Sequence, residues 1–419
     1  MAEDVFVPKP SREPPAATTG VIGWMRKNLF ATWFDAILTV LSIVAIGYFL
    51  PPILDWAFFS ADFLGTKAED CNFGGACWVY PNVWWNTFMY GQYPASEYWR
   101  INSSYYIGIS FGIALLVDTY KVRAICGAVV FIFLPLFGLP FGWYPDNMTV
   151  LISGAVLYAV ANFVVPMFLP FIRYRLWYGI FMLLVFPVMA FFLYVGGSFG
   201  LMFVETPKWG GMFLTLVIAI TGIVASLPIG VVLALGRRSN MPAVRSVCVV
   251  FIEFWRAVPL ITVLFMSSVM LPLFLPEGVN FDKLLRALIG VAMFSAAYMA
   301  EVIRGGLQAI PKGQDEASSA LGLSYWKTMG LIVLPQALKL VIPGIVNTFI
   351  GLFKDTTLVL IIGLFDLLGM VQSSFANPNW KDFPTEGYVF TAVVFWCFCF
   401  GMSRYSMSLE RKLHTGHKR

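Results

Sequence analysis

The stretch AEVIRGGLQAIPKGQDEASSALGLSYWKTMGLIVLPQALKLVIPGIVNTFIGLFKDTTL (residues 300–358) decides the fold. Its ends are apolar and its middle, 305–335, is polar but not linker-like. Pro311 stands where a first helical turn tolerates a missing N–H. Asp315 to Leu321 has helix-forming composition. Gly322 follows as a C′ glycine that can take a left-handed backbone. Ser324 can cap a second helix containing Trp326 and Met329, and Pro335 marks its end or a kink. Two short helices set at an angle form a rigid knob. A rigid knob can pass on motion from a soluble partner, whereas a flexible loop cannot.

Outward from the knob the chain turns to lipid. Of 419 residues, 59% are hydrophobic and only 12% charged, with mean hydropathy +0.76. The charged share is about half that of a soluble protein. Crossing ~30 Å of hydrocarbon takes about 20 helical residues. Charge-poor stretches of that order run between Asp35 and Asp55, Arg100 and Asp118, Ala124 and Gly142, Met148 and Ile172, and Leu176 and Val195. Five more lie between Gly211 and Gly236, Ser246 and Leu275, Leu284 and Val302, Leu338 and Gly363, and Glu386 and Arg404. With the N-terminus inside, every inside connection is cationic, from Arg26 and Lys27 through Arg237, Arg238 and Arg245 to Arg411 and Lys412, as the positive-inside rule requires. The expectation is an all-α, polytopic membrane protein of about ten transmembrane helices, with both termini cytoplasmic.

Other features narrow the function by exclusion. Residues 1–20 are polar and proline-rich, with no apolar run of a secretory signal. The net charge of +5 belongs to inside loops, and no basic tract interleaved with aromatics suggests nucleic acid. No GxxxxGK[ST] loop is present to cradle phosphates, so ATP and Mg²⁺ are expected on a partner and no cofactor on this chain. No nucleophile–base constellation stands out, and His414 and His417 make no metal site. The outside loop 55–99 is rich in Trp, suited to the membrane interface. Cys71 and Cys77 lie there, either as a disulfide or as two free thiols.

Glu316-Ala317-Ser318, three residues, Gly322, nine residues, then Ile332-Val333-Leu334-Pro335 resembles the EAA signature of binding-protein-dependent ABC permeases at its complete spacing. Ser318 stands where that signature usually has a second Ala. Ala300–Gly306, Pro311–Gln314, Leu334–Ala337 and Lys354–Leu358 are similar to the polar amino acid subfamily. So is Glu253–Leu260, with Ala257 in place of Gly; Thr356-Thr357 replaces Thr-Ser. The resemblance covers 208–412. Residues 1–207 contain no second such loop, and the extra spans resemble the long permease of the general L-amino acid importers.

The resemblance implies a cytoplasmic tail (1–31), an additional transmembrane region (32–207), a five-helix type I importer core (208–412) with coupling loop 305–335, and a second tail (413–419). It implies that Gln314, Glu316, Ala317, Ser318, Gly322 and Leu323 couple the permease to a separate ATPase. It also implies a companion permease, two ATPase copies, a periplasmic binding protein and import of L-amino acids across a bacterial inner membrane. An ion-gradient-driven secondary amino acid transporter is the rival reading. Two readings stay open for the charges in the spans. Glu253 and Arg256, one turn apart, either line the substrate path or brace a helix that contains Pro259. Lys354 and Asp355, with Asn347 nearby, either mark a broken helix lining a cavity or form a structural pair.

Overall fold

Charge-poor runs of this length have only one way to satisfy their backbone in lipid short of a closed barrel, and that is the helix. A computed structural model describes residues 20–72, 74–138, 147–197, 200–274, 276 and 281–413; among them there is no β-strand, only isolated bridges. The tail residues 1–19 and 414–419, with His414 and His417, lie outside the described residues. The chain forms two compact units that divide between Val79 and Tyr80.

In the first unit, α1 (Gly20–Asn28) precedes α2, the span Trp33–Phe59. Thr32 and Asp35 form a reciprocal capping box that starts α2. Pro51 and Pro52 sit inside the helix, and its last turn, Asp55–Phe59, is π-helical. No residue of Trp33–Leu54 is buried. A compact loop follows, in which Asp70 accepts the N–H groups of Thr66 (2.8 Å) and Lys67 (3.0 Å). Those bonds hold the Asp70 carboxyl below its usual range.

The second unit opens with α3 (Trp85–Tyr90), α4 (Tyr98–Leu116), α5 (120–138), α6 (Met148–Phe168) and α7 (Phe171–Val195). Fully buried Arg123 lies between α4, α5, α6 and α7. Its guanidinium donates to the carbonyls of Ala114, Val117 and Asn162 and to the Tyr174 hydroxyl. Ala114 and Val117 are the orphan carbonyls at the end of α4, so the cation caps that helix and meets its dipole. Beside it, Asp118 takes Arg175 at 2.6 Å and Lys412 at 2.8 Å. Those partners hold its carboxyl below the usual range.

The remaining helices are α8 (Gly211–Arg237), α9 (Pro242–Ala257), α10 (Leu260–Phe274), α11 (Lys283–Ala309), α12 (Gly313–Ala320), α13 (325–340), α14 (Ile342–Ile362), α15 (Leu367–Ser374) and α16 (Pro384–Leu413). The long helices α8 and α11 pack along their lengths. Gly222, Ser226, Gly230 and Ala234 are buried at four-residue spacing on α8, the small-residue stripe that lets membrane helices approach. A Cβ at Gly230 would lie 2.8 Å from the Met299 side chain.

Among the described residues, seven helices are long and apolar enough to cross a membrane, or eight if α9 and α10 count as one bent span. Of the ten expected, α4 has the length, 19 residues, but a polar first half. Its Arg100 is buried against Glu97 (2.7 Å) and the Met202 carbonyl. The other, α5, runs up to the residues left undescribed. The expected seventh span is not straight: α9 and α10 meet at 102°. Pro259 forces the residue before it out of the helical region, and Val258 accordingly has φ −103° and ψ 132°. The eighth span runs to Ala309, so 305–309 belong to it and not to the loop.

Candidate functional site

The knob is built by α12 and the start of α13. Gly322 adopts φ +70°. The Leu323 N–H donates to the Ser318 carbonyl at 3.1 Å and the Gly322 N–H to the Ser319 carbonyl at 3.0 Å. This is a Schellman closure, which consumes the loose carbonyls at the end of α12. Ser324 holds the N-cap position of α13 without a side-chain bond to the helix. Its carbonyl accepts the Thr328 N–H instead. The tie between the helices comes from Ser318, which is buried. Its hydroxyl donates to the Asp315 carbonyl and accepts from the buried Thr328 hydroxyl at 3.0 Å. Pro335 neither ends nor breaks α13. A π-helical turn, Met329–Val333, precedes it and the helix continues to Leu340; such turns relieve a missing N–H.

Gln314, Glu316, Ala317 and Gly322 are exposed on this knob, and Leu323 is half-buried. Leu321 and Trp326 are 78% and 74% exposed. The Gln336 amide reaches Gln314 at 3.3 Å. A hollow of about 310 Å³ separates Arg238 from the two knob helices. Arg238 also donates to the Leu307 carbonyl.

At the root of the knob, Glu253, Arg256, Glu301 and Arg304 form one network and not two pairs. Arg237, the last residue of α8, joins them, reaching Glu301 at 2.6 Å and Glu253 at 3.0 Å. Arg304 holds Glu301 at 2.9 Å, while Arg256 stands 3.7 Å from Glu301 and 3.8 Å from Glu253. Glu301 is the centre: its side chain is 16% exposed against 53% for Glu253. Sequence reading gave Arg237 only a place among the inside charges. Its signal was available, a cationic pair ending a charge-free helix.

Lys354 and Asp355 end the α-helical part of α14, which tightens to a 3₁₀ helix over Thr356–Ile362. Neither makes an ion pair within 4 Å among the described residues, so they are not a bonded brace. Asn347 and Lys354 are exposed and Asp355 is half-buried. In the first unit the structure joins Cys71 to Cys77, with Cα atoms 5.6 Å apart. Among the described residues no His, Cys, Asp and Glu cluster could hold a metal ion.

Residues 226–415 match the family described as binding-protein-dependent transport system inner membrane component. The chain is 47% identical over 412 residues to the inner membrane amino-acid ABC transporter permease protein YhdY of Escherichia coli K12, covering 98% of each. It is 40% identical to the glutamate/glutamine/aspartate/asparagine transport system permease protein BztC of Rhodobacter capsulatus, covering 99% of this chain and 98% of that one. Among solved structures, an amino acid ABC transporter crystallised with histidines aligns at 28% identity and TM-score 0.44, over 48% of this chain and 92% of that one.

Proposed function

The chain belongs to the family of binding-protein-dependent transport system inner membrane components, and on that premise we propose that it is the permease subunit of an ATP-binding-cassette importer for amino acids. The observation that carries this reading is the 47% identity to an amino-acid ABC permease from end to end of both chains. A permease of this kind is a multi-pass inner-membrane subunit and not an enzyme; hydrolysis belongs to a separate ATPase. No reported relative supports the ion-gradient alternative.

In the finer reading, the cargo is polar or broad-range L-amino acids, delivered by a periplasmic binding protein. A companion permease packs against this chain around a pseudo-two-fold axis, because one core of five spans cannot close a pore alone. Two ATPase copies carry ATP and Mg²⁺, and both termini of this chain are cytoplasmic. The exposed Gln314, Glu316 and Ala317 dock on the ATPase; Ser318, Gly322 and Leu323 keep the knob rigid. Rigidity matters because the knob must move as a lever. The network around Glu301 ties the lever's root to α8, α9 and α11. Glu253 and Arg256 therefore serve as braces, and Asn347, Lys354 and Asp355 are left as candidates to line the path.

The test is reconstitution of the full complex in lipid discs, with ATPase activity read with and without amino-acid-loaded binding protein. Stimulation that Gly322→Pro abolishes, with assembly intact, is the expected result. Uptake driven by a proton or sodium gradient without ATP would reject the proposal.

A further inference from the structure

Within the second unit, α3, α4, α5, α7, α8, α11, α15 and α16 line a half-open cavity of about 1900 Å³. Along α8 its wall runs from Met212 to Ala225, ~20 Å at helical rise. That wall is overwhelmingly apolar, for example Phe186, Leu216, Leu288 and Val394. Water needs polar partners to occupy such a space, whereas hydrocarbon does not.

One end differs. Trp209 lines the cavity there and is 3% exposed, yet its indole N–H has no acceptor among the described residues. The Tyr105 hydroxyl, also on the wall, is buried without a hydrogen-bond partner among the described residues. Tyr194 has its ring centroid 5.6 Å from that of Trp209, and Tyr105 packs against the same core cluster. The Tyr194 hydroxyl bonds to Ser104. A buried donor without an acceptor is costly, so two in one cluster point to an acceptor from outside the chain. The charged side chains on the wall are both carboxylates, Glu205 and Asp282. Asp282 is committed on one oxygen to the N–H groups of Leu284 and Leu285, and on the other to the Thr206 hydroxyl.

We propose that this cavity binds a zwitterionic, amine-bearing phospholipid. Its acyl chains lie along α8, its ester or phosphate oxygens accept from Trp209 and Tyr105, and its ammonium faces Glu205 and Asp282. The carboxylates disfavour an anionic headgroup by like-charge repulsion.

Two variants separate the parts. A Cβ at Gly179, on the cavity wall, meets no atom within 4 Å, so Gly179→Phe starts into open space, narrows the cavity and improves helix propensity. Trp209→Phe removes the donor and keeps the ring. The full complex is purified in mild detergent after equilibration with phosphatidylethanolamine and phosphatidylglycerol, and retained lipid is quantified by mass spectrometry. The expected result is retained phosphatidylethanolamine in preference to phosphatidylglycerol. Retention falls about 10-fold in Trp209→Phe, equivalent to ~1.4 kcal/mol, and also falls in Gly179→Phe. Equal retention in all three proteins overturns the proposal. A photoreactive benzoylphenylalanine at Val224, which also lines the cavity, is expected to label lipid. Labelling of a companion permease instead overturns the proposal and makes the cavity a subunit interface.

Discussion

At the scale of single residues, the sites most sensitive to change are buried polar atoms with few partners. Ser318 departs from the usual Ala of the signature, and the structure gives it work: it accepts the Thr328 hydroxyl. Ser318→Ala leaves that hydroxyl buried without an acceptor. The knob should then open more readily, by about 1–2 kcal/mol, read as faster amide exchange across 313–328. Thr328→Val in the same chain should recover part of the loss. Glu301 faces three guanidinium groups with little water. Glu301→Gln leaves Arg304 without a carboxylate and Arg237 and Arg256 with Glu253 alone, and should cost about 2–3 kcal/mol, whereas Glu253→Gln, half exposed, should cost under ~1 kcal/mol. Thermal unfolding of both variants checks the difference.

Asp366 carries the pH dependence. It is fully buried at the start of α15, accepting the Leu368 and Gly369 N–H groups. Burial pushes its carboxyl up to about 6, against about 3.9 in an unfolded chain. The fold therefore disfavours the ionised form. Its contribution to stability is greatest below the unfolded value, declines as pH rises from about 4 to about 6, and is flat above. Asn also caps helices, so Asp366→Asn should flatten that decline and gain about 2 kcal/mol at neutral pH. Melting curves across pH 4–8 decide it; an unchanged slope removes Asp366 as the cause.

At the scale of elements, the knob was legible because its signals are local. Gly322 was read as a C′ glycine, and it has φ +70° with both Schellman bonds. Gly322→Ala leaves open space around the new Cβ and so tests backbone alone. It should cost about 1–2 kcal/mol and weaken the coupling of ATPase activity to loaded binding protein, with Gly322→Asn milder. What a linear reading missed depends on the third dimension. Glu253–Arg256 and Glu301–Arg304 are each one turn apart and look like separate pairs. The end of α8, which brings Arg237 between them, and the approach of Arg256 to Glu301 across α9 and α11 make them one network. Likewise α9 and α10 read as one apolar run because hydropathy does not register the turn that Pro259 imposes. The Pro335 signal was overridden by the π-helical turn ahead of it.

At the scale of the whole molecule, charge-poor stretches located the spans, but the cations between them could not be sorted into those that face lipid headgroups and those that do not. Arg123 sits in a cationic connection between two charge-poor stretches and lies fully buried, on carbonyls at the end of α4. It serves as a helix cap within the N-terminal part of the second unit. The cavity was equally illegible: its wall is drawn from eight helices, and each apolar residue on it reads in sequence as lipid-facing.

The ion pairs at Asp118 bear on how the protein is made. Asp118 ends the joint after α4, yet one of its cations, Lys412, is 294 residues further along the chain. Tyr405, on the same late helix, also donates to the Leu116 carbonyl. The ribosome delivers α4 to the membrane long before α16 exists. Until then the joint rests on Arg175 and the Arg123 cap alone. Its final closure is thus a late event in synthesis, and a chain halted before Lys412 should leave that joint open to a protease that the finished protein resists.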